Sequence, residues 1–189
     1  VGNNAGNNNL DTDGKTLTLN LNGFNIDNAN LFAGSETNDK TEEELRAHAG
    51  TLKIIGSGEL LQGGSFGYLA ARGYSTLDLS EWTGTTIRMI EANPNAKIIL
   101  PTSSAPTIGY FMLTGEATDG LLQWNSRAPQ YSPTFGVICR TSGESTVKLG
   151  DLLKNAPEGC AFHSGSDEEG YEALAYDTEI TANVSSITN

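Results

Sequence analysis

The chain has 189 residues, 11 basic against 23 acidic side chains and a net charge of −12, a balance that repels nucleic-acid phosphates and anionic bilayers and sets both aside as partners. No stretch approaches the roughly 18 consecutive apolar residues of a membrane span, so no membrane insertion is expected. Hydrophobic residues make up 37% and glycines number 22, a composition of one domain rich in corners and turns rather than long helices.

The first stretch, 1–14, opens Val1-Gly2-Asn3-Asn4 without an initiator methionine or a charged-then-apolar leader, and reads as a flexible N-terminal segment of a longer, exported chain. From Lys15 the pattern changes. Leu17, Leu19 and Leu21 alternate with Thr18 and Asn20, the period of two of a strand with one buried face. Asn22-Gly23 supplies left-handed backbone geometry for a corner, after which Phe24 and Ile26 resume the alternation. An insertion over 35–50 follows. Thr41 and Glu44 match a capping box, so Thr41–Ala49 predicts a short surface helix, placed as a partial cap on one end of the fold.

Further apolar runs then arrive in pairs. Thr51-Leu52-Lys53-Ile54-Ile55 leads to Glu59-Leu60-Leu61 and Tyr68-Leu69-Ala70; Thr76-Leu77-Asp78-Leu79 leads to Thr86–Ile90; Lys97-Ile98-Ile99-Leu100 leads to Thr107–Leu113. Leu121–Trp124 with Phe135–Ile138 forms a fifth, less regular unit, Val147–Leu153 starts a sixth, and Glu179–Val184 reads as a last strand. Pro94, Pro101 and Pro106 fall between the runs, where a missing N–H breaks no ladder.

Self-similarity at a period of roughly 20 to 50 residues is the signature of stacked repeats that bury their apolar faces only against neighbours. The expected fold is all-β: a parallel β-solenoid over 15–189 of about six or seven turns at ~4.8 Å each, less regular over 121–189. Leu17, Leu52, Leu77, Ile98 and Val147 should stack on one line, and Leu19, Ile54, Leu79, Leu100 and Leu149 on the next.

Lys15–Gly23, followed by Gly50-Thr51-Leu52-Lys53-Ile54-Ile55-Gly56-Ser57-Gly58, resembles the pectin-lyase-like right-handed parallel β-helix repeats of bacterial secreted and surface proteins. Val147–Phe162 resembles a segment found near the end of such extracellular domains. The resemblance implies a right-handed, single-stranded β-helix, secreted or at the cell surface. Its members include polysaccharide lyases and hydrolases as well as non-catalytic adhesin domains.

The catalytic sets of those enzymes are not legible here. There is no Asp-Asp pair, no Gly-His-Gly and no Arg-x-Lys, and Asp11-Thr12-Asp13 precedes the first regular strand. Asp78, Glu81, Arg88 and Arg127 are the residues that a carbohydrate-active enzyme with a non-standard site would use. Aromatic faces hold sugars against their C–H surfaces, so Trp82, Trp124 and Tyr131, with Arg88 and Arg127 as donors, are the candidate ligand-binding set for a polysaccharide or cell-surface glycan. Trp124 packing inside the fifth turn is the competing reading. Asp167, Glu168 and Glu169 form the densest acidic run, read as a solvated loop or a Ca²⁺ site; no other cofactor is expected. Cys139 and Cys160 lie one repeat length apart and are either disulfide-bonded neighbours or buried free thiols. The expected function is non-catalytic adhesion or glycan contact, with a carbohydrate-active enzyme and a structural stalk as the alternatives.

Overall fold

The computed structural model describes residues 9–35, 41–63, 67–114, 121–123, 133–140, 153–154, 160–164 and 172–176. Two parallel ladders run through them. One contains β1 (Asn9–Asp11), β3 (Asn30–Ala33), β5 (Leu69–Ala71), β7 (Thr86–Ala92), β9 (Thr107–Leu113) and β11 (Thr134–Arg140). The other contains β2 (Thr16–Asn20), β4 (Thr51–Ile55), β6 (Thr76–Asp78), β8 (Lys97–Ile99), β10 (Leu122–Gln123) and β12 (Leu153–Lys154). Successive strands alternate between the ladders, so the backbone winds as a solenoid. This is a parallel β-helix.

Register explains why. Leu17 pairs with Leu52, Leu52 with Leu77, Leu77 with Ile98, and Ile98 with Leu122. Leu52, Leu77, Ile98 and Leu122 are fully buried, as are Ile54, Leu79 and Leu100 on the next inward line. A third line runs Ile26, Leu60, Ile87, Ile108 and Phe135, joined by isolated bridges and then by β7, β9 and β11. Within β7, Ile87, Met89 and Ile90 are buried and Arg88 is exposed, so strict alternation breaks at Met89-Ile90, where the strand turns a corner. β9 also breaks alternation, between buried Ile108 and Phe111, and Phe111 meets Phe135 edge-on at 6.0 Å.

About four regular turns separate Leu17 from Leu122, fewer than the expected six or seven. The difference arises beyond β11. There β14 (Glu172–Tyr176) runs antiparallel to β11, and β13 (Cys160–Ser164) antiparallel to β14, so the ladder stops adding coils in one direction. Leu153 of β12, rather than Val147, pairs with Leu122; Val147, Leu149 and Glu179–Val184 lie outside the described residues. At the other end, β1 falls inside the stretch expected to be flexible. It is held by pairing with β3 and by a 2.6 Å hydrogen bond from the Asn30 side-chain amide to Asn9 Oδ1.

The insertion leaves and returns through two glycines. Gly34 has φ +99°, and a Cβ there would lie 2.5 Å from Ser75 Oγ; one on Gly50 would lie 2.3 Å from Thr12 Oγ1. Buried Thr12 accepts the Gly34 N–H (2.7 Å) and buried Ser75 accepts the Gly50 N–H (3.1 Å), closing the neck. α1 (Glu42–Ala47) has the predicted capping box, Thr41 with Glu44. It does not cap the end of the solenoid. It lies against the corners at Asp13-Gly14 and Gly73-Tyr74, where Gly14 N–H donates to the His48 carbonyl (3.0 Å) and Tyr74 hydroxyl to Glu42 (3.0 Å).

Leu77→Ala should cost about 2–5 kcal/mol in a denaturant melt, and Leu79→Asp should unfold the central coils as seen by circular dichroism. Buried Gln62, whose amide nitrogen and oxygen have no partner among the described residues, behaves oppositely: Gln62→Met should leave the melting temperature unchanged or raise it.

Candidate functional site

The outward side of the third line carries an in-register polar row, as does the β2–β4–β6 ladder with Thr16, Thr51 and Thr76. Thr86, Thr107 and Thr134 pair in register across β7, β9 and β11, one rung (~4.8 Å) apart, with Thr107 and Thr134 exposed. The pattern behind it is local: Thr86-Ile87 on β7, Thr107-Ile108 on β9 and Thr134-Phe135 on β11 each set a threonine before a buried apolar residue.

The next outward row is Arg88, Gly109 and Gly136, and the row after it contains Met89, Tyr110 and Val137. Gly109 leaves no room for a side chain, since a Cβ would approach the Arg88 carbonyl oxygen to 2.7 Å. Bare backbone therefore separates the threonine row from Tyr110, which is 52% exposed. Arg88 is exposed and forms no ion pair among the described residues, while its methylenes lie against Gly63. Glu59 borders the row one coil earlier. Its carboxylate accepts the Thr85 N–H (3.2 Å) and hydroxyl (3.2 Å) and the Thr86 N–H, so it fixes the entry to β7.

Trp82 is fully buried, and its indole N–H donates to the Gly58 carbonyl (2.8 Å). Gly84 makes the space, because a Cβ there would sit 2.3 Å from the indole ring. Trp82 is thus a core plug at a corner, with no face open to a ligand. Arg88 is exposed. Trp124, Arg127, Tyr131, Asp167, Glu168 and Glu169 lie outside the described residues. Asp78 accepts the Ser80 N–H (2.9 Å), and Glu81 pairs with Lys53 (2.5 Å). Asp78 and Glu81 both lie beside Lys53, while Arg88 follows on β7 beyond the Trp82 corner.

The two cysteines sit on β11 and β13, with β14 between them in the sheet. Two strand spacings amount to about 9.6 Å, beyond the roughly 4.4–6.8 Å that a disulfide spans between Cα atoms. The backbone register does not bring Cys139 and Cys160 together. Among the described residues no group of His, Cys, Asp and Glu is placed to hold a metal ion.

Charge is organised elsewhere, on the helix. The Arg46 guanidinium bonds Glu42 (2.8 Å) and lies 3.7 Å over the Tyr74 ring. That bond from Arg46, reinforced by the Tyr74 hydroxyl, holds the Glu42 carboxyl below its usual 4.5. Partial desolvation, then the bond to Glu42, raises Tyr74 above its ordinary value. The bond to Glu81 raises Lys53. No protein-family model, no curated protein and no solved structure matches the chain.

Sequence patterning missed the threonine row, although its signal is present as the Thr-apolar start of three strands. It favoured tryptophans, and burial claims Trp82. For Glu42, whose folded pKa is depressed, the contribution to helix docking is complete above the ordinary glutamate value and is lost as pH falls through the lower, folded one. The Tyr74 ring resonances should therefore titrate with a midpoint below 4.5 in an NMR pH series, and Glu42→Gln should abolish that transition.

Proposed function

We propose that this chain is a non-catalytic β-helix domain of a bacterial secreted or surface protein, of the pectin-lyase-like kind, that contacts a polysaccharide or cell-surface glycan through the outward side of β7, β9 and β11. One observation carries the reading: the in-register row Thr86, Thr107 and Thr134 beside a glycine floor, flanked by exposed Arg88 and Tyr110. Hydroxyls both donate and accept, as sugar hydroxyls require, and a floor without side chains permits close approach. Tyr110 offers a ring to a C–H face, and Arg88 offers donors that no carboxylate occupies among the described residues. Repeated rungs suit a repeating ligand. With a net charge of −12, the protein favours neutral or weakly charged glycans over strongly anionic ones.

Trp124, Arg127 and Tyr131, the other members of the proposed ligand-binding set, lie in the sequence between β10 and β11 and outside the described residues. Calcium at Asp167, Glu168 and Glu169 is a separate proposal, read directly by titration calorimetry.

On a glycan array, the chain should retain one class of sugar, and Arg88→Ala and Tyr110→Ala should each weaken binding about tenfold or more, roughly 1.4 kcal/mol. Their melting curves should match the parent, since both side chains are on the surface. Incubation with pectin, alginate and glycosaminoglycans should release neither unsaturated products nor reducing ends. Turnover abolished by Arg88→Ala would instead establish an enzyme, and an array without hits would leave a structural stalk.

A further inference from the structure

The outer edge of the first coil is open among the described residues, because β1 and β2 each end their ladder. Burial records the consequence. Leu52 and Ile54 are fully buried, whereas Leu17 and Leu19, their partners on β2, are half-buried, as are Leu10 and Ile26 on the other two sides. Phe24, at the corner after β2, is 72% exposed.

The backbone of β2 is open in a definite pattern. Thr51 N–H donates to Lys15 (2.9 Å), Leu21 N–H to Ile55 (3.0 Å) and Gly23 N–H to Ser57 (2.7 Å). Odd-numbered residues therefore direct their backbone groups at β4, and alternation turns the N–H and C=O of Thr16, Thr18 and Asn20 toward the free edge. The run ends at Asn22, whose N–H is closed by Asn20 Oδ1 (3.0 Å).

Edge strands are normally protected by charges, prolines or bulges. From Thr16 to Ile26 there is no charged residue and no proline, in a chain whose net charge is −12. The segment is also self-complementary. In an antiparallel pair centred on Thr18, Thr18 faces its own counterpart, Thr16 faces Asn20 of a second copy, and Leu17 faces Leu19 of that copy. The positions with open N–H and C=O are then those that exchange both bonds, and the leucines complete the inward ladder.

We propose that this edge docks a second copy of the chain, end to end, through β2–β2 pairing about a two-fold axis at Thr18. The same axis carries the Leu10 side of each copy onto the Ile26 side of the other, so all the half-buried inward positions of the first coil gain cover. The interface is isologous and closes as a dimer, without open-ended growth. The pairing strand carries no charge from Thr16 to Ile26, so the flanking groups, Asp11 and Asp27 among them, are what two acidic molecules must accommodate at this contact.

Sedimentation velocity over a concentration series decides the matter. The parent chain should pass from monomer to dimer with reductant present. Thr18→Lys, at an exposed outward position, should weaken the dimer at least about tenfold while leaving the melting curve unchanged. Thr18→Pro removes an N–H directed at the free edge and also fixes φ, so it should weaken the dimer at least as much, with its own melting curve recorded alongside. Hydrogen exchange on the parent chain is independent of any variant: protection of the Thr16, Thr18 and Asn20 amides should rise with protein concentration. A monomer at every concentration overturns the proposal, as does a dimer indifferent to both substitutions. Protection that does not depend on concentration also overturns it, since the chain's own residues would then occupy the edge.

Discussion

Everything in this fold depends on one contact repeated along the axis: an inward aliphatic side chain resting on the equivalent side chain of the next coil. Leu17, Leu52, Leu77, Ile98 and Leu122 make it on one side, and Ile26, Leu60, Ile87, Ile108 and Phe135 on another. Each buried member contributes about 1.5–3 kcal/mol, and no coil gains that alone. The backbone hydrogen bonds hold register but do not choose it. A slip of one residue would send Leu52 outward and Lys53 into the core, which fixes the alignment.

Because register is set by strands alone, connections are free to vary. The passage from β3 to β4 includes a whole helix, whereas β5 reaches β6 through the short corner Arg72–Ser75. Such variation is tolerated when the chain leaves and re-enters the rung at fixed points. Gly34 and Gly50 provide those points, wedged against Ser75 and Thr12. The helix adds little apolar burial of its own, since none of its residues is buried. What holds it are polar contacts to neighbouring corners, the Arg46–Tyr74 stack and the short His48–Asp13 contact among them.

The solenoid was legible in the sequence because its cause is local and periodic. Thr-Leu-x-Leu phrases, an Asn-Gly corner and a capping box each encode their own geometry, and ladder, corner and helix follow from them. Two things were not legible. The antiparallel β13–β14 pair depends on which strand takes the edge of β11, among the described residues β14, and that is a tertiary circumstance. The role of Trp82 was hidden for a related reason. A tryptophan after Ser80-Glu81 looks like a loop residue until Gly84 is seen to make room for its ring and Gly58 to accept its N–H. The threonine row was readable, and was overlooked because aromatic residues are the louder signal for sugars.

A solenoid has sides and ends, and they serve different purposes. The sides are where outward rows accumulate, one residue per coil, so a surface such as Thr86-Thr107-Thr134 gains length with each repeat. Among the described residues the ladders stop at β1 and β2, and the uncharged β2 edge is the one proposed to pair. A two-fold axis through Thr18 stands perpendicular to the β2–β4–β6 sheet. It therefore exchanges the two sides flanking that sheet, placing the threonine row of one copy in line with the β1–β3–β5 side of the other. The two rows cannot merge into one longer groove. They face different directions, so the proposed pairing would present two separate rows without lengthening either one.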